Sequence, residues 1–141
     1  MVSVTCKVKS RDGERIGLPT ILSLIPANQY VWTVFDLRGM VGVAPVHSSV
    51  DDFERSTSES ATGRAFSWPQ LQHFASQLED LSDCAVVAHT AISSFSANEY
   101  RAGNFSSAEL LIQLFDSTEW SVEVTDSDKF KTLLNAFTRW G

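Results

Sequence analysis

The stretch Leu110-Leu111-Ile112-Gln113-Leu114-Phe115-Asp116-Ser117-Thr118-Glu119-Trp120-Ser121-Val122-Glu123-Val124 decides the architecture of this chain. Its first six residues form an apolar run of strand length. Asp116 to Glu119 are polar and suited to a reversal. Trp120, Val122 and Val124 then alternate with polar residues, the period-two mark of a strand with one buried face. Two strands joined by so short a turn lie antiparallel.

Toward the C-terminus, Thr125 followed three residues later by Asp128 resembles a capping box with Asp in place of Glu. Phe130, Leu133, Leu134, Phe137 and Trp140 follow at helical spacing and give a closing helix one apolar stripe. Toward the N-terminus, residues 93–107 read as a long loop carrying Phe95, Tyr100 and Phe105, and Cys84 to Ala91 as a central strand. Before it, Ser67, Pro69 and Gln70 form a helix start. Leu71, Phe74, Ala75, Leu78 and Leu81 continue it as an apolar stripe that runs to Ser82-Asp83. The polar stretch His47 to Arg64 reads as a surface excursion, with 56–63 a loop or flexible linker.

Tyr30 to Phe35 is rich in β-branched and aromatic residues and reads as a strand. Asp36 to Gly39 would turn it back, with Met40 to Ala44 as its returning partner. Leu18 to Pro26 fits either a short helix with Pro19 in its first turn or a strand between prolines. Val2, Val4, Cys6 and Val8 alternate with polar residues as a half-buried strand, and Asp12-Gly13 supplies the turn after it. The pattern predicts an α+β fold over residues 1–141 as one domain. Its largely antiparallel sheet of five or six strands carries two amphipathic helices on one face. No internal repeat is present.

At 141 residues the chain is long enough to bury a sizeable core without disulfides or metal. Its 43% apolar and 11% aromatic content supports that core and excludes a disordered composition. No apolar run approaches the roughly 18 residues of a membrane span. The start lacks the order of a signal peptide, so the sequence predicts a cytoplasmic protein with no membrane partner. Cys6 and Cys84 read as buried thiols. Residues 1–50 carry five basic and three acidic side chains, residues 51–141 six and fourteen, so the segments hold +2 and −8. Such a field repels phosphate backbones and draws basic partners, which predicts no nucleic-acid binding.

Chemistry-bearing motifs are scarce. His47, His73 and His89 lack ligand spacing, so no metal is expected and no cofactor is implied. No serine stands in a Gly-x-Ser-x-Gly elbow, and no Gly-rich phosphate cradle occurs. Asp51-Asp52, Glu79-Asp80 and Asp126-x-Asp128 read as solvated or capping carboxylates. Cys84 with His89 or His47 is a formal nucleophile–base pairing, and a small enzyme using carboxylates or Cys84 and His89 is the third-ranked reading.

An interaction role ranks first. Asp51, Asp52, Glu54 and Glu59 would steer a basic partner protein toward the aromatic anchors Trp68, Tyr100 and Trp120. Packing is the competing role for the rings, with Trp68 covering the helix entrance and Trp120 lying on the sheet. Residues 110–124, continued by Phe130, Leu133, Leu134 and Phe137, are similar to the closing part of small bacterial immunity-type proteins. In those, a strand, an Asp-Ser reversal around an aromatic, another strand and a helix end the domain. The resemblance covers about a fifth of the chain and implies a toxin-neutralising partner that acts by occlusion. A self-associating scaffold subunit, forming a homo-oligomer through an open sheet edge or exposed aromatics, is the alternative.

Overall fold

A computed structural model describes residues 2–45, 49–90, 97–104 and 107–141. In chain order the elements are β1 (Val2–Lys7), α1 (Leu18–Leu22), β2 (Val31–Arg38), β3 (Val41–Gly42), α2 (Val50–Glu59), β4 (Arg64–Phe66), α3 (Trp68–Ser76), β5 (Leu78–Asp80), β6 (Asp83–His89), α4 (Ala97–Arg101), β7 (Leu110–Phe115), β8 (Glu119–Val124) and α5 (Lys131–Trp140). Six strands make one sheet in the order β1-β8-β7-β6-β2-β4, and every neighbouring pair is antiparallel. The fold is α+β, as the sequence pattern requires.

Alternation of side chains sorts the sheet into two faces. On the inner face lie Trp32 and Val34, Val86 and Ala88, Leu110, Ile112 and Leu114, and Trp120, Val122 and Val124. They share one core with Ile21 of α1, Leu71 and Phe74 of α3, and Leu133 and Phe137 of α5. On the outer face Phe35, Ala85, Val87 and Leu111 form a smaller cluster with Ala108 and the ring of Tyr100. Trp120 is 2% exposed, and its indole N–H donates to the Ile16 carbonyl at 2.9 Å. That bond satisfies the single polar group of the ring inside the core.

The 110–124 hairpin has the expected ends, and Asp116 and Ser117 both hold positive φ, 48° and 59°. Phe115 pairs with Glu119, so the loop holds three residues, and its two left-handed positions suit Asn-Gly far better than Asp-Ser. The Thr118 N–H and hydroxyl close it locally on the Phe115 carbonyl, and two tertiary hydrogen bonds brace it. Asp116 N–H donates to the Asp83 carboxylate at 3.0 Å and Ser117 N–H to the Ser82 carbonyl at 2.8 Å.

Several expectations need correction. Met40 to Ala44 does not return along β2; Val41–Gly42 pairs with β5 in a separate two-stranded sheet. Gly39, at φ +66°, lies so close to Ser82 that a Cβ would meet its Oγ at 2.1 Å, and this approach carries the chain toward residues 77–82. The places beside β2 go to β6 and β4. Helix α3 begins with the full Ser67–Gln70 capping box but stops at Ser76, so Leu78 and Leu81 lie beyond it. The polar excursion contains a ten-residue helix, α2, capped by Ser49 and holding Ser56 to Glu59. Within residues 93–107, Ala97–Arg101 is a short helix. Thr125 caps nothing: its hydroxyl turns to the Glu109 carbonyl, and α5 starts at Lys131 after Phe130. Between the two open readings of Leu18 to Pro26, residues 18–22 are helical with Pro19 in the first turn.

Two substitutions probe this frame. Gly63 sits at φ +70°, where a Cβ would meet Thr33 Cγ2 at 2.5 Å and Phe35 Cε1 at 2.7 Å. Gly63→Ala should therefore lower unfolding stability by about 2 kcal/mol or more, read as a lower urea midpoint at unchanged slope. Asp116→Asn with Ser117→Gly should raise unfolding stability by about 1 kcal/mol, read as a higher midpoint, because the left-handed conformation no longer opposes the turn. A neutral or lower midpoint would show that the Ser117 side chain contributes more than its backbone conformation costs.

Candidate functional site

The sheet ends at β4, a three-residue strand set between two helices whose aromatic side chains meet beside it. Phe66 stacks on Phe74 of α3 at 5.3 Å between ring centroids, and Phe74 meets Phe53 of α2 at 5.6 Å. Over these rings runs an open groove of about 500 Å³, lined also by Pro45, Pro69, Gln70 and His73. A volume of this order suits an apolar ligand group or a partner's side chain. The Arg64 guanidinium lies 5.1 Å from the Phe53 ring centroid and donates to Ser56 Oγ at 2.8 Å.

Helix α2 forms one wall. Phe53 and Thr57 face inward, while Asp51, Asp52 and Glu59 are exposed. Asp52, Ser56 and Glu59 follow i, i+4, i+7 spacing and so share the row that Arg64 touches. Asp51 and Asp52 stand in the first turn, where the helix dipole favours carboxylates. Asp52 also pairs with Arg55 at 2.7 Å, an exposed contact of little energetic weight. Four carboxylates against one guanidinium make this helix acidic overall. Glu54 differs from the other three, because its carboxylate accepts the Met40 backbone N–H and it is half-buried. It ties α2 to the β3 segment and is not part of the solvent-facing set.

The aromatic anchors proposed from the sequence do not share a surface. Trp68 is 7% exposed and packs on Trp32 with ring centroids 5.2 Å apart; Trp120 is interior. Both belong to the core because they fall on the inward-facing stripe of α3 and the inner face of β8. Tyr100 is half-buried on the outer face, stacked on Phe35 at 5.6 Å, and its hydroxyl accepts from Gln113 at 2.9 Å. Phe95, Phe105 and His47 lie outside the described residues. The groove rings Phe53, Phe66 and Phe74 were not singled out as a surface by their sequence pattern.

A second concavity, about 250 Å³, opens on the outer face between Asp36, Arg38, Asp83, Tyr100, Gln113 and Phe115. Its polar groups are largely engaged by one another: Arg101 pairs with Asp36 at 3.8 Å, and Asp83 holds the Asp116 N–H. Burial pushes the Tyr100 hydroxyl above its ordinary pKa, with the Asp36 carboxylate adding to the shift. Among the described residues no group of three or more His, Cys, Asp or Glu could hold a metal ion.

The Cys84–His89 pair does not exist as a site. Cys84 lies on the inner face of β6 with Val86 and Ala88, whereas His89 falls on the outer one, five residues and half a pleat away. His89 is fully buried, with Nε2 2.8 Å from Thr33 Oγ1. Cys6 and Cys84 are both free and buried, as the sequence reading has them. The registers Cys6↔Trp120, Trp120↔Leu114 and Leu114↔Cys84 put two strands between them. Three strand spacings are about 14 Å, beyond the reach of a disulfide.

No family model, curated protein or solved structure matches this chain.

The thiols yield a direct test. Burial pushes Cys84 up to about 12, and burial followed by the Glu119 carboxylate pushes Cys6 up to about 11. At pH 8 the native protein should react with Ellman's reagent at least about 100-fold more slowly than the urea-unfolded chain. Above pH 9 the unfolded thiols ionise while the folded ones keep their protons, so stability should fall as pH rises from about 9 toward 12. A fast-reacting thiol in the native state would contradict the placement of β1 or β6.

Proposed function

We propose that this chain is a non-enzymatic protein-binding domain that occludes a basic partner, in the specific form of an immunity-type protein that neutralises a toxin in the cytoplasm. One observation supports the reading: Asp51, Asp52 and Glu59 are exposed on α2, the helix whose Phe53 lines an open groove at the end of the sheet. An apolar recess with charge at its rim is the arrangement that steers a partner by electrostatics and then holds it by burial. The net charge of −6 adds to the attraction for a basic protein and opposes nucleic acid. The similarity of residues 110–124 to immunity-type proteins supplies the toxin as the kind of partner. Trp68 and Trp120 drop out of the contact set because they are interior, as are the rings Phe53, Phe66 and Phe74, leaving Asp51, Asp52 and Glu59 with the exposed groove residues Pro69, Gln70 and His73.

The self-associating scaffold retains one observation in its favour. β1 ends the sheet opposite β4, six residues long, with Val2 42% exposed. Open edges of that length invite pairing with another strand. Sedimentation across a hundredfold concentration range separates the readings: a monomer supports the binding domain, a stable oligomer the scaffold.

Co-expression with the toxin-like product of an adjacent reading frame should restore growth and yield a 1:1 complex. Failure of both removes the immunity reading. In such a complex, Asp51→Lys, Asp52→Lys and Glu59→Lys together should slow association at least about tenfold near 50 mM salt, and the difference should shrink toward 1 M. Glu54 stays native in that variant, so the fold should be kept at a cost of about 1–2 kcal/mol, because two lysines then oppose the α2 dipole and the Asp52–Arg55 pair is lost. An unchanged association rate would place the partner elsewhere.

A further inference from the structure

At the far end of β1, a hairpin arm runs on from the sheet. Lys9 is bridged antiparallel to Arg15, and the Ser10 N–H donates to the Glu14 carbonyl at 2.8 Å. Residues directly opposite in an antiparallel pair share a face, and Lys7 lies two positions before Lys9. Strand parity therefore puts Lys7, Lys9 and Arg15 on one side of the arm, while Val8 and Ile16 fall on the other and enter the core. The three cations line an open groove of about 580 Å³, which Ser117 and Thr118 of the β7–β8 turn also border. Among the described residues no carboxylate lines it; Asp12 and Glu14 belong to the same arm but not to the lining. Three of the eleven Lys and Arg residues of a chain with net charge −6 thus share one concavity.

Their neighbours do little to neutralise them. Lys7 meets Glu119 at 3.4 Å and Arg15 meets Asp80 at 2.5 Å, both exposed pairs of small energetic weight. Among the described residues no hydrogen bond or ion pair engages the Lys9 ammonium. Lys9 also stands directly across from Arg15, where like charges repel and an anion between them would relieve the repulsion. We propose that this groove binds a soluble small molecule through a multiply charged oxyanion of the phosphate type, held by Lys7, Lys9 and Arg15. Two lysines act as point charges, and Arg15 already gives donors to Asp80. That set suits a compact, multiply charged group better than a planar monocarboxylate, which is matched by a free guanidinium fork. The volume falls in the range of small-molecule sites and leaves room for the group that bears the anion. A polynucleotide or an anionic membrane would bring many further charges against a chain of net −6. The site shares no residue with the α2 surface and goes beyond the protein-binding reading.

The probe is inorganic pyrophosphate, titrated by calorimetry into the full chain near pH 7.5 and at about 50 mM salt. One pyrophosphate should bind per chain, and the amide shifts it causes should centre on residues 7–15 and 117–118. Lys9→Glu should weaken binding at least about tenfold. The same variant should hold or raise the urea midpoint, because an opposite-charge pair then replaces two like charges across the arm. Lys7→Gln should also weaken binding, whereas Lys131→Gln, at an exposed position of α5, should leave it unchanged. Citrate, a tricarboxylate, should bind at least about tenfold more weakly than pyrophosphate. Equal affinity for citrate would overturn the choice of a phosphate-type group, and retention of the protein on phosphatidylcholine vesicles doped with a phosphoinositide would overturn the soluble ligand. Shifts spread over Lys129, Lys131 and Arg139, or binding untouched by Lys9→Glu, would overturn the site and leave only unspecific attraction.

Discussion

Strand β6 is covered on both faces, and the rest of the molecule is arranged around that requirement. Six of its seven residues, Cys84 to His89, are buried. A strand with no wet side cannot stand at a sheet edge, so β2 and β7 must flank it and helices or loops must cover each surface. A slip of one residue would exchange Cys84, Val86 and Ala88 with Ala85, Val87 and His89. The histidine would then enter a core of tryptophan and leucine, and its Thr33 partner would be lost. Register, core composition and the separation of Cys84 from His89 thus share one cause.

The elements that were legible in the sequence are those whose own residues specify them. The β7–β8 hairpin, β6, the β2 strand and the Ser67 cap carry their periodicity and capping chemistry locally. Errors arose where a distant contact decided. Gly39 sends the chain to Ser82 rather than back along β2, and nothing within residues 36–44 records that neighbour. Thr125 and Asp128 have capping spacing, but the Glu109 carbonyl takes the threonine hydroxyl. Helix α2 is a different case. Ser49 three residues before Asp52, with Val50, Phe53 and Thr57 at helical spacing, was a readable signature. The density of serine and threonine, which favours turns, obscured it.

The surface was harder to read than the fold. Aromatic residues in a sequence announce burial and recognition in the same alphabet, and only the parity of the strand or the phase of the helix tells them apart. Trp120 shares parity with Val122 and Val124 and is interior for that reason. Phe66 has an inner-face position too, yet β4 is the last strand, so the covering over it thins into a groove. Being at the end of a sheet is a property of topology that no local pattern contains. Among the acids, Asp51, Asp52 and Glu59 are exposed on α2, whereas the Glu54 carboxylate accepts the Met40 backbone N–H.

The Asp116–Ser117 turn carries a consequence for the order in which the chain assembles. Its backbone is unfavourable on its own, and the groups that hold it, Asp83 and Ser82, stand more than thirty residues earlier. In an unfolded chain those anchors are remote, so this connection does not nucleate its hairpin as an Asn-Gly turn would. The anchors are in place only when β7 lies beside β6, so the reversal draws its tertiary support from that pairing. The most local connection of the sheet in sequence thus leans on residues that are remote from it in sequence.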